Sequence, residues 1–347
     1  MVLKLLRLKN FRNYLEKEFS FSEATTLVVG PNTVGKTNLL EAIYLLATGK
    51  SFRAGLESEM IGYESEIARI KGRIIKDEKT DLEIVLTRGE VAGEKVAKKK
   101  YFVNGVGRRM VDFVGNLRAT YFRPEDLELV TDSPSSRRKY LDAVLEQVDK
   151  EYARSVLSYE KGLRQRNKLL ERIRDEGEPR SQLLFWDQLL IKNGDYITRK
   201  REEYISFINR LSLSGFGYQL EYDKSLISPA RLEEYASEEV AAGSTLVGPH
   251  RDDFVFNLEG RNLHAFGSRG EQRLGVLWLK LGELEFIAQA GDERPILLLD
   301  DIFSELDEGH RNLVLDIIPA QQTIITTTDL ELIESKYRAK MDVVKLG

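Results

Sequence analysis

The run Gly30-Pro-Asn-Thr-Val-Gly35-Lys36-Thr37 constrains what this chain can fold into more than any other feature in it. It fits G-x-x-x-x-G-K-[ST]. It follows the apolar run Thr26–Val29 and precedes a stretch from Lys36 to Thr48 whose Leu39, Leu40, Ile43, Leu46 and Ala47 recur at helical spacing. A glycine turn between a buried strand and a helix lets backbone N–H groups close around phosphate oxygens, and the helix N-terminus adds partial positive charge. Lys36 then reaches the β- and γ-phosphates of ATP and the Thr37 hydroxyl a Mg²⁺ ion. Gly30, Pro31, Asn32, Thr33, Val34, Gly35, Lys36 and Thr37 are the expected nucleotide loop.

Ile296-Leu-Leu-Leu299-Asp300-Asp301 supplies a companion. Four apolar residues read as a buried parallel strand. Asp300 at its end is the second expected Mg²⁺ ligand beside Thr37, and Asp301 is placed to orient or deprotonate the attacking water. Lys36 and Asp301 are therefore the catalytic candidates. Between these motifs, Ser268-Arg-Gly270-Glu271-Gln272-Arg273 resembles the S-x-G-[GQE]-Q signature of ABC-type ATPases. That resemblance implies that Ser268, Gly270, Glu271 and Gln272 meet the γ-phosphate held by a second subunit, although an ordinary helix cap fits the same residues. Ser304-Glu-Leu-Asp307 resembles the D-loop of that class. Ile324–Asp329 resembles its last strand and switch, with Thr328 standing where many relatives carry His. Thr328, and Asp301 where Glu is more common, imply slow hydrolysis with ATP acting chiefly as a timed switch.

The rest of the chain divides by pattern. Leu3–Leu8, Ile67–Ile75, Asp81–Thr87 and Tyr101–Val103 read as strands, the last entering a hairpin at Asn104-Gly105. Ser133-Pro134 starts a helical stripe through Tyr140, Leu141, Val144, Leu145, Val148, Tyr152, Val156, Tyr159 and Leu163. After a loop at Asp175–Arg180 a second helical run continues to Leu211. Two antiparallel helices of roughly 30 residues project about 45 Å. Short strands are expected near Ser244, at Phe254–Leu258 and at Leu263–Phe266, then a helix from Gly270 to about Ala290. The expected fold is α/β, an ABC-type head with mixed sheets plus an inserted, mainly helical lobe carrying a short arm. Residues 1–121 and 293–347 form the first lobe and 122–292 the second, with the arm at about 134–240 and the signature at 268–273.

The 52 Lys and Arg against 56 Asp and Glu leave a net charge of −4, which excludes DNA binding by bulk positive charge but not by a local face. Cys is absent and His occurs three times, at 250, 264 and 310, which removes thiolate metal sites and disulfides. The first ten residues interleave Lys and Arg with apolar positions, and no run approaches ~18 apolar residues, so a cytoplasmic protein without a membrane span is expected. The candidate phosphate-backbone contacts are Lys98, Lys99, Lys100, Arg108, Arg109, Arg137, Arg138 and Lys139, with further clusters at Arg164 to Lys168 and Arg199 to Arg201, although the acids interspersed along the arm suit each cluster equally to a solvated helix face. His250 and Arg251 suit either a sensor or a turn, Arg12 and Asn13 either an adenosine contact or a strand connection, and Trp186 and Trp278 the core.

Five segments narrow the class: Leu8–Tyr14, Tyr121–Leu127, Ser133–Asp142, Leu246–Phe254 and Leu298–Asp307 all resemble the RecF family of bacterial recombination-repair proteins. The matches run from residue 8 to about 329. Thr33 and Val34 depart from it, standing where the family usually has Gly and a small residue. The resemblance implies an SMC-like, ATP-dependent homodimer that binds gapped or double-stranded DNA without sequence preference. It also implies work with RecR and RecO to promote RecA loading, and a link to replication and the SOS response. The competing readings are the nucleotide-binding subunit of an ABC transporter and a non-catalytic scaffold.

Overall fold

Alternation along the first strands decides which side of the first sheet is covered. In β1 (Val2–Phe11) Leu6 and Leu8 are buried while Arg7 and Lys9 are exposed. In β4 (Ile67–Ile75) Ala68, Ile70 and Ile74 turn inward and Arg69 outward. The computed structural model describes residues 1–211, 217–304 and 306–347, and not the side chain of Leu313. Glu305, inside the expected D-loop, lies outside the described residues.

The chain forms two units, Met1–Asp126 with Glu283–Gly347 and Leu127–Gly282. The expected joints at 121/122 and 292/293 are thus displaced. Arg123 pairs with Asp126 at 3.1 Å and lies 4.9 Å from the Phe52 ring, which keeps Arg123 to Asp126 on the first unit. Gly291 accepts a hydrogen bond from Arg118, and Glu285 pairs with Arg294, which keeps the last helical turns there too.

In the first unit, β1, β2 (Tyr14–Ser20), β4, β5 (Lys79–Thr87), β6 (Lys99–Val103) and β7 (Val106–Arg108) form an antiparallel sheet ordered β2-β1-β4-β5-β6-β7. The turn between β6 and β7 is Asn104-Gly105, both at positive φ as a two-residue hairpin requires. A second sheet, all parallel, runs β8-β9-β10-β3-β11, from Ala119–Phe122, Ile296–Asp300, Thr323–Thr327, Thr25–Val29 and Asp342–Lys345. Strand β3 (Thr25–Val29) thus lies between β10 and β11. Helix α1 (Lys36–Thr48) packs on both sheets, its Leu39, Leu40, Ile43 and Leu46 fully buried. It presses on the antiparallel sheet at Gly72, where a Cβ would come within 2.6 Å of Leu46.

In the second unit the expected single stripe is two helices, α2 (Pro134–Leu145) and α3 (Lys150–Glu176). Asp149 ends the continuity by accepting the Tyr152 N–H as an N-cap. Helix α4 (Leu184–Arg210) runs back along α3 after a turn closed by left-handed Gly177. At 27 residues each, the pair spans about 40 Å. A three-stranded sheet, Tyr218–Asp223, Asp253–Leu258 and Arg261–Asn262, completes the unit. No strand forms near Ser244, and Leu263–Phe266 is a helical turn because the Asn262 side chain caps the Ala265 N–H. Helix α5 (Arg269–Gly291) follows. Trp278 is buried, while Trp186 is only partly so and meets Phe185 edge-on.

His250 belongs to this unit's interior. The Thr245 carbonyl can only accept, so Nε2 carries the proton donated to it at 3.1 Å, and Nδ1 accepts the Tyr159 hydroxyl at 2.8 Å. Burial pushes its pKa down from 6.5 to about 4. The unfolded chain therefore takes up this proton near pH 6.5 and the folded one only near 4, so its contribution to stability is lost as pH falls through that window. We expect a His250→Gln variant to lose about 3 kcal/mol less than wild type in urea unfolding between those pH values. Identical pH slopes would contradict the burial argument.

Candidate nucleotide site

The phosphate loop is held from behind by the turn between β1 and β2. Asn13 Nδ2 donates to the Val34 carbonyl at 3.0 Å and the Tyr14 hydroxyl to the Gly35 carbonyl at 3.0 Å. Gly35 has φ 111°, and a Cβ there would lie 2.8 Å from the Asn13 amide and 2.9 Å from the Tyr14 oxygen. Gly30 is pinned differently: a Cβ would meet the Leu346 carbonyl at 2.5 Å, because Leu346 donates its N–H to Val29 beyond the end of β11. Both glycines are required by close approach.

Thr33 is the departure with a cost. Its φ of 71° is left-handed, a region that a β-branched residue rarely occupies. Replacing it with glycine removes about 1–2 kcal/mol of steric strain against roughly 0.4–1 kcal/mol of added unfolded-chain entropy. We expect Thr33→Gly to stabilise the protein by up to about 1 kcal/mol in thermal unfolding; a destabilised variant would contradict the strained backbone.

Lys36, the first residue of α1, is 7% exposed and donates to the Gly30 carbonyl at 2.7 Å and the Pro31 carbonyl at 2.9 Å. Burial lowers its pKa, opposed by the charges of Asp301 and Asp300. The next residue, Thr37, donates from Oγ1 to Asp300 Oδ1 at 3.2 Å. Parallel pairing of β9 with β8 and β10 brings two more hydroxyls to the same carboxylate: Thr326 Oγ1 donates to Oδ1 at 2.6 Å and Tyr121 to Oδ2 at 2.7 Å. Asp301 then turns the chain at φ 51°, a conformation aspartate tolerates, with its N–H on the Thr326 carbonyl at 3.1 Å.

A hydroxyl and a carboxylate are hard oxygen donors that suit Mg²⁺, which keeps most of its shell for water and substrate phosphates. Thr37 and Asp300 supply two such donors, which leaves the remaining positions of an octahedral shell to water and phosphate oxygens. Beside the loop lies a cleft of about 560 Å³, lined by Arg12, Asn13, Asn38, Arg53, Tyr63 and Arg88 among others. Its floor is organised by Glu41, which is fully buried and accepts Arg12 at 2.6 and 2.8 Å, Ser51 at 2.6 Å and Arg53 at 3.0 Å. Burial works against its ionised form, but the bonds from Arg12 and Ser51 and the two guanidinium charges outweigh it and hold the pKa low. Arg12 thus serves Glu41, and Asn13 serves the loop backbone.

The signature residues form a capping box at the start of α5. Ser268 N–H and Oγ both donate to Glu271 Oε2, at 2.7 and 2.8 Å, and Glu271 N–H donates to Ser268 Oγ at 3.3 Å. Those bonds lower the Glu271 pKa. Gln272 is buried with Nε2 on the Leu263 carbonyl, whereas Ser268 and Gly270 are exposed. Asp307 caps the helix Glu308–Ile317 through the His310 N–H at 3.0 Å and also pairs with the His310 ring. Thr328 is exposed, one residue past β10.

The basic clusters sort by the pleat and by internal partners. Lys99 turns inward, pairing with Glu57 and donating to the Gly49 carbonyl at 2.9 Å, while Lys98 and Lys100 are exposed. Arg137 is 7% exposed and grips Asp253 with two bonds of 2.6 and 2.9 Å. Arg138 donates to the Asp252 carbonyl at 2.8 Å. Lys99 and Arg137 are therefore structural counter-charges, which corrects their placement among the DNA contacts. Arg108, Arg109 and Lys139 are exposed, Arg109 with Asp112 beside it. The sheet reveals basic residues that reading the chain linearly missed: on the exposed face of β1 and β4, Arg7 lies opposite Lys71 and Lys9 opposite Arg69, with Arg7, Arg69 and Lys71 paired to Glu18, Glu83 and Asp81.

The family described as the RecF/RecN/SMC N terminal domain matches residues 2–345. The chain is 38% identical over 362 residues to the DNA replication and repair protein RecF of Herpetosiphon aurantiacus, covering 95% of this chain and 94% of that one. It is 37% identical over 343 residues to the RecF of Lachnoclostridium phytofermentans, with the same coverage. Among solved structures it is similar to the recombination mediator protein RecF with ATP in the RecFOR pathway, with a TM-score of 0.87, 32% identity and 96% and 93% of the two chains covered. An Smc head bound to the C-winged helix domain of ScpA shares the fold alone, at a TM-score of 0.51 and 17% identity.

Proposed function

The chain belongs to the RecF/RecN/SMC N-terminal domain family, and we propose that it is a DNA replication and repair ATPase that closes as a homodimer on gapped or double-stranded DNA when ATP is bound. The observation that carries this reading is the meeting of Thr37 and Asp300 at the end of the phosphate loop, with Asp301 next in the chain. A transporter subunit is no longer a competitor, since the RecF resemblance covers nearly the whole length.

The residues divide the work. Lys36 exchanges its two loop carbonyls for phosphate oxygens, and the N–H groups at the start of α1 face the same anion. Thr37 and Asp300 would hold Mg²⁺, which when bound would supply positive charge beside the phosphoryl oxygens. Asp301 orients the attacking water. The cleft lined by Arg12, Asn13 and Tyr63 takes the nucleoside. Ser268 and Gly270 present their helix start to the nucleotide of the second subunit, and Asp307 and Thr328 occupy the D-loop and switch positions. Asp301 in place of the longer Glu makes hydrolysis slow, so ATP times how long the clamp stays shut. RecR and RecO act with it to promote RecA loading in the cytoplasm.

Lys98, Lys100, Arg108 and Lys139, with the β1 and β4 face, supply the phosphate-backbone contacts. Lys9→Glu is expected to weaken binding alike across DNA sequences and to reduce the salt slope by about 1. An unchanged slope would remove that face from the interface.

The deciding experiment measures ATP hydrolysis and sedimentation with and without gapped DNA. DNA-stimulated turnover and ATP-dependent dimerisation are the expected results. Dimerisation without hydrolysis would instead identify a scaffold, and DNA-insensitive turnover would defeat the clamp.

A further inference from the structure

We propose that Tyr121 is a positioning residue for the divalent cation, holding the Asp300 carboxylate in the orientation that faces Thr37. The inference deepens the reading above and rests on Thr37 and Asp300 being the cation's ligands.

Asp300 is 6% exposed and receives three hydroxyls. Only Thr37 belongs to the phosphate loop; Thr326 and Tyr121 come from the strands on either side of β9. Thr326 and Thr37 share Oδ1, so the Tyr121 hydroxyl, 2.7 Å away, is the partner that fixes Oδ2. With both oxygens tied, the carboxylate cannot rotate about its own axis. Without the phenol, Oδ2 is left inside the protein short of a donor, and the plane is free to turn.

The phenol is itself held. Tyr121 is 3% exposed; its ring centroid is 4.4 Å from that of Phe52 and 5.6 Å from that of Tyr44 on α1. Arg123, two residues further on, lies 4.9 Å from the other ring of that stack, Phe52. A buried phenol needs an acceptor, and phenylalanine would fill the same volume without a polar atom to satisfy. The hydroxyl at this position is therefore explained by Asp300 and not by packing. Partners that orient a ligating carboxylate commonly change metal affinity by about 10–100-fold when removed.

The test uses the full chain with a non-hydrolysable ATP analogue and Mn²⁺, read by electron paramagnetic resonance. Tyr121→Phe is expected to weaken Mn²⁺ binding at least about tenfold, while analogue affinity in EDTA stays within about twofold of wild type. Thr326→Val, which removes a donor from the other oxygen, shifts Mn²⁺ affinity in the same direction. Equal Mn²⁺ affinities in wild type and Tyr121→Phe would overturn the inference, and so would a parallel loss of analogue binding in EDTA, which marks a merely structural role. If Asp300→Asn leaves Mn²⁺ binding intact, the ligand assignment itself fails and the inference goes with it.

Discussion

Lys36→Met is expected to give a folded protein that binds ATP about a hundredfold more weakly and has no measurable turnover. The side chain is nearly enclosed, and methionine occupies almost the same volume, so packing around the start of α1 survives. What disappears is the ammonium. Bonds from a charged donor contribute about 1.5–3 kcal/mol each, and a loss near 3 kcal/mol is roughly a hundredfold in affinity. Turnover suffers more than binding, because charge on the phosphoryl oxygens grows in the transition state. Isothermal titration with ATP, a hydrolysis assay and thermal unfolding read the three effects apart. An affinity within threefold of wild type, in a variant with an unchanged melting curve, would remove Lys36 from the phosphate site.

The largest stability effect is expected at Arg201, on α4. This guanidinium donates to Asp252 at 2.9 Å, Asp142 at 2.9 Å, the Pro249 carbonyl at 2.7 Å and the Tyr152 hydroxyl at 3.0 Å. Asp252 is fully buried and also accepts the Tyr222 hydroxyl and the Ser225 N–H. Burial still pushes the Asp252 pKa up, so its negative charge depends on Arg201. Arg201→Met strands two carboxylates and costs about 3–5 kcal/mol, the range for breaking a buried pair from one side. Urea unfolding followed by far-UV circular dichroism measures it. The double variant Arg201→Met with Asp252→Asn is expected to recover part of the loss. A cost below 1 kcal/mol would mean that water reaches the pair.

Arg201 also shows where the sequence stops being legible. In the chain it reads as the end of a basic cluster, Arg199-Lys-Arg201, and so as either a candidate DNA contact or a solvated helix face. Its acids lie far away, Asp252 being 51 residues on, and Arg137 finds Asp253 across 116 residues. Nothing in local spacing reveals such pairs. The phosphate loop, α1 and β9 were legible because each is a contiguous pattern: α1 begins and ends at the expected residues, and so does the Ile296–Asp300 strand. The single stripe from Tyr140 to Leu163 misled, because one aspartate side chain at 149 outweighs apolar periodicity where a cap is available. Leu263–Phe266 misled in the same way, its apolar run being closed into a turn by Asn262. In the site, Asn13, Tyr14 and Tyr121 could not be assigned from pattern. Tyr14 and Tyr121 each act through a hydrogen bond to a residue well removed in the chain, and Asn13 bonds both Val34 and Asn38.

That strand order has a consequence in time. Both neighbours of β3 in the parallel sheet, Thr323–Thr327 and Asp342–Lys345, are made some three hundred residues after it. During synthesis at about 5–20 residues per second, the antiparallel sheet and the long helices leave the ribosome well before those strands do. Contacts of such sequence separation are also the slow ones to close. The nascent chain therefore carries its complete phosphate-loop sequence through most of translation with neither of β3's parallel-sheet neighbours beside it. A polypeptide stalled before residue 323 lacks both strands that flank β3, whatever else of it has already folded.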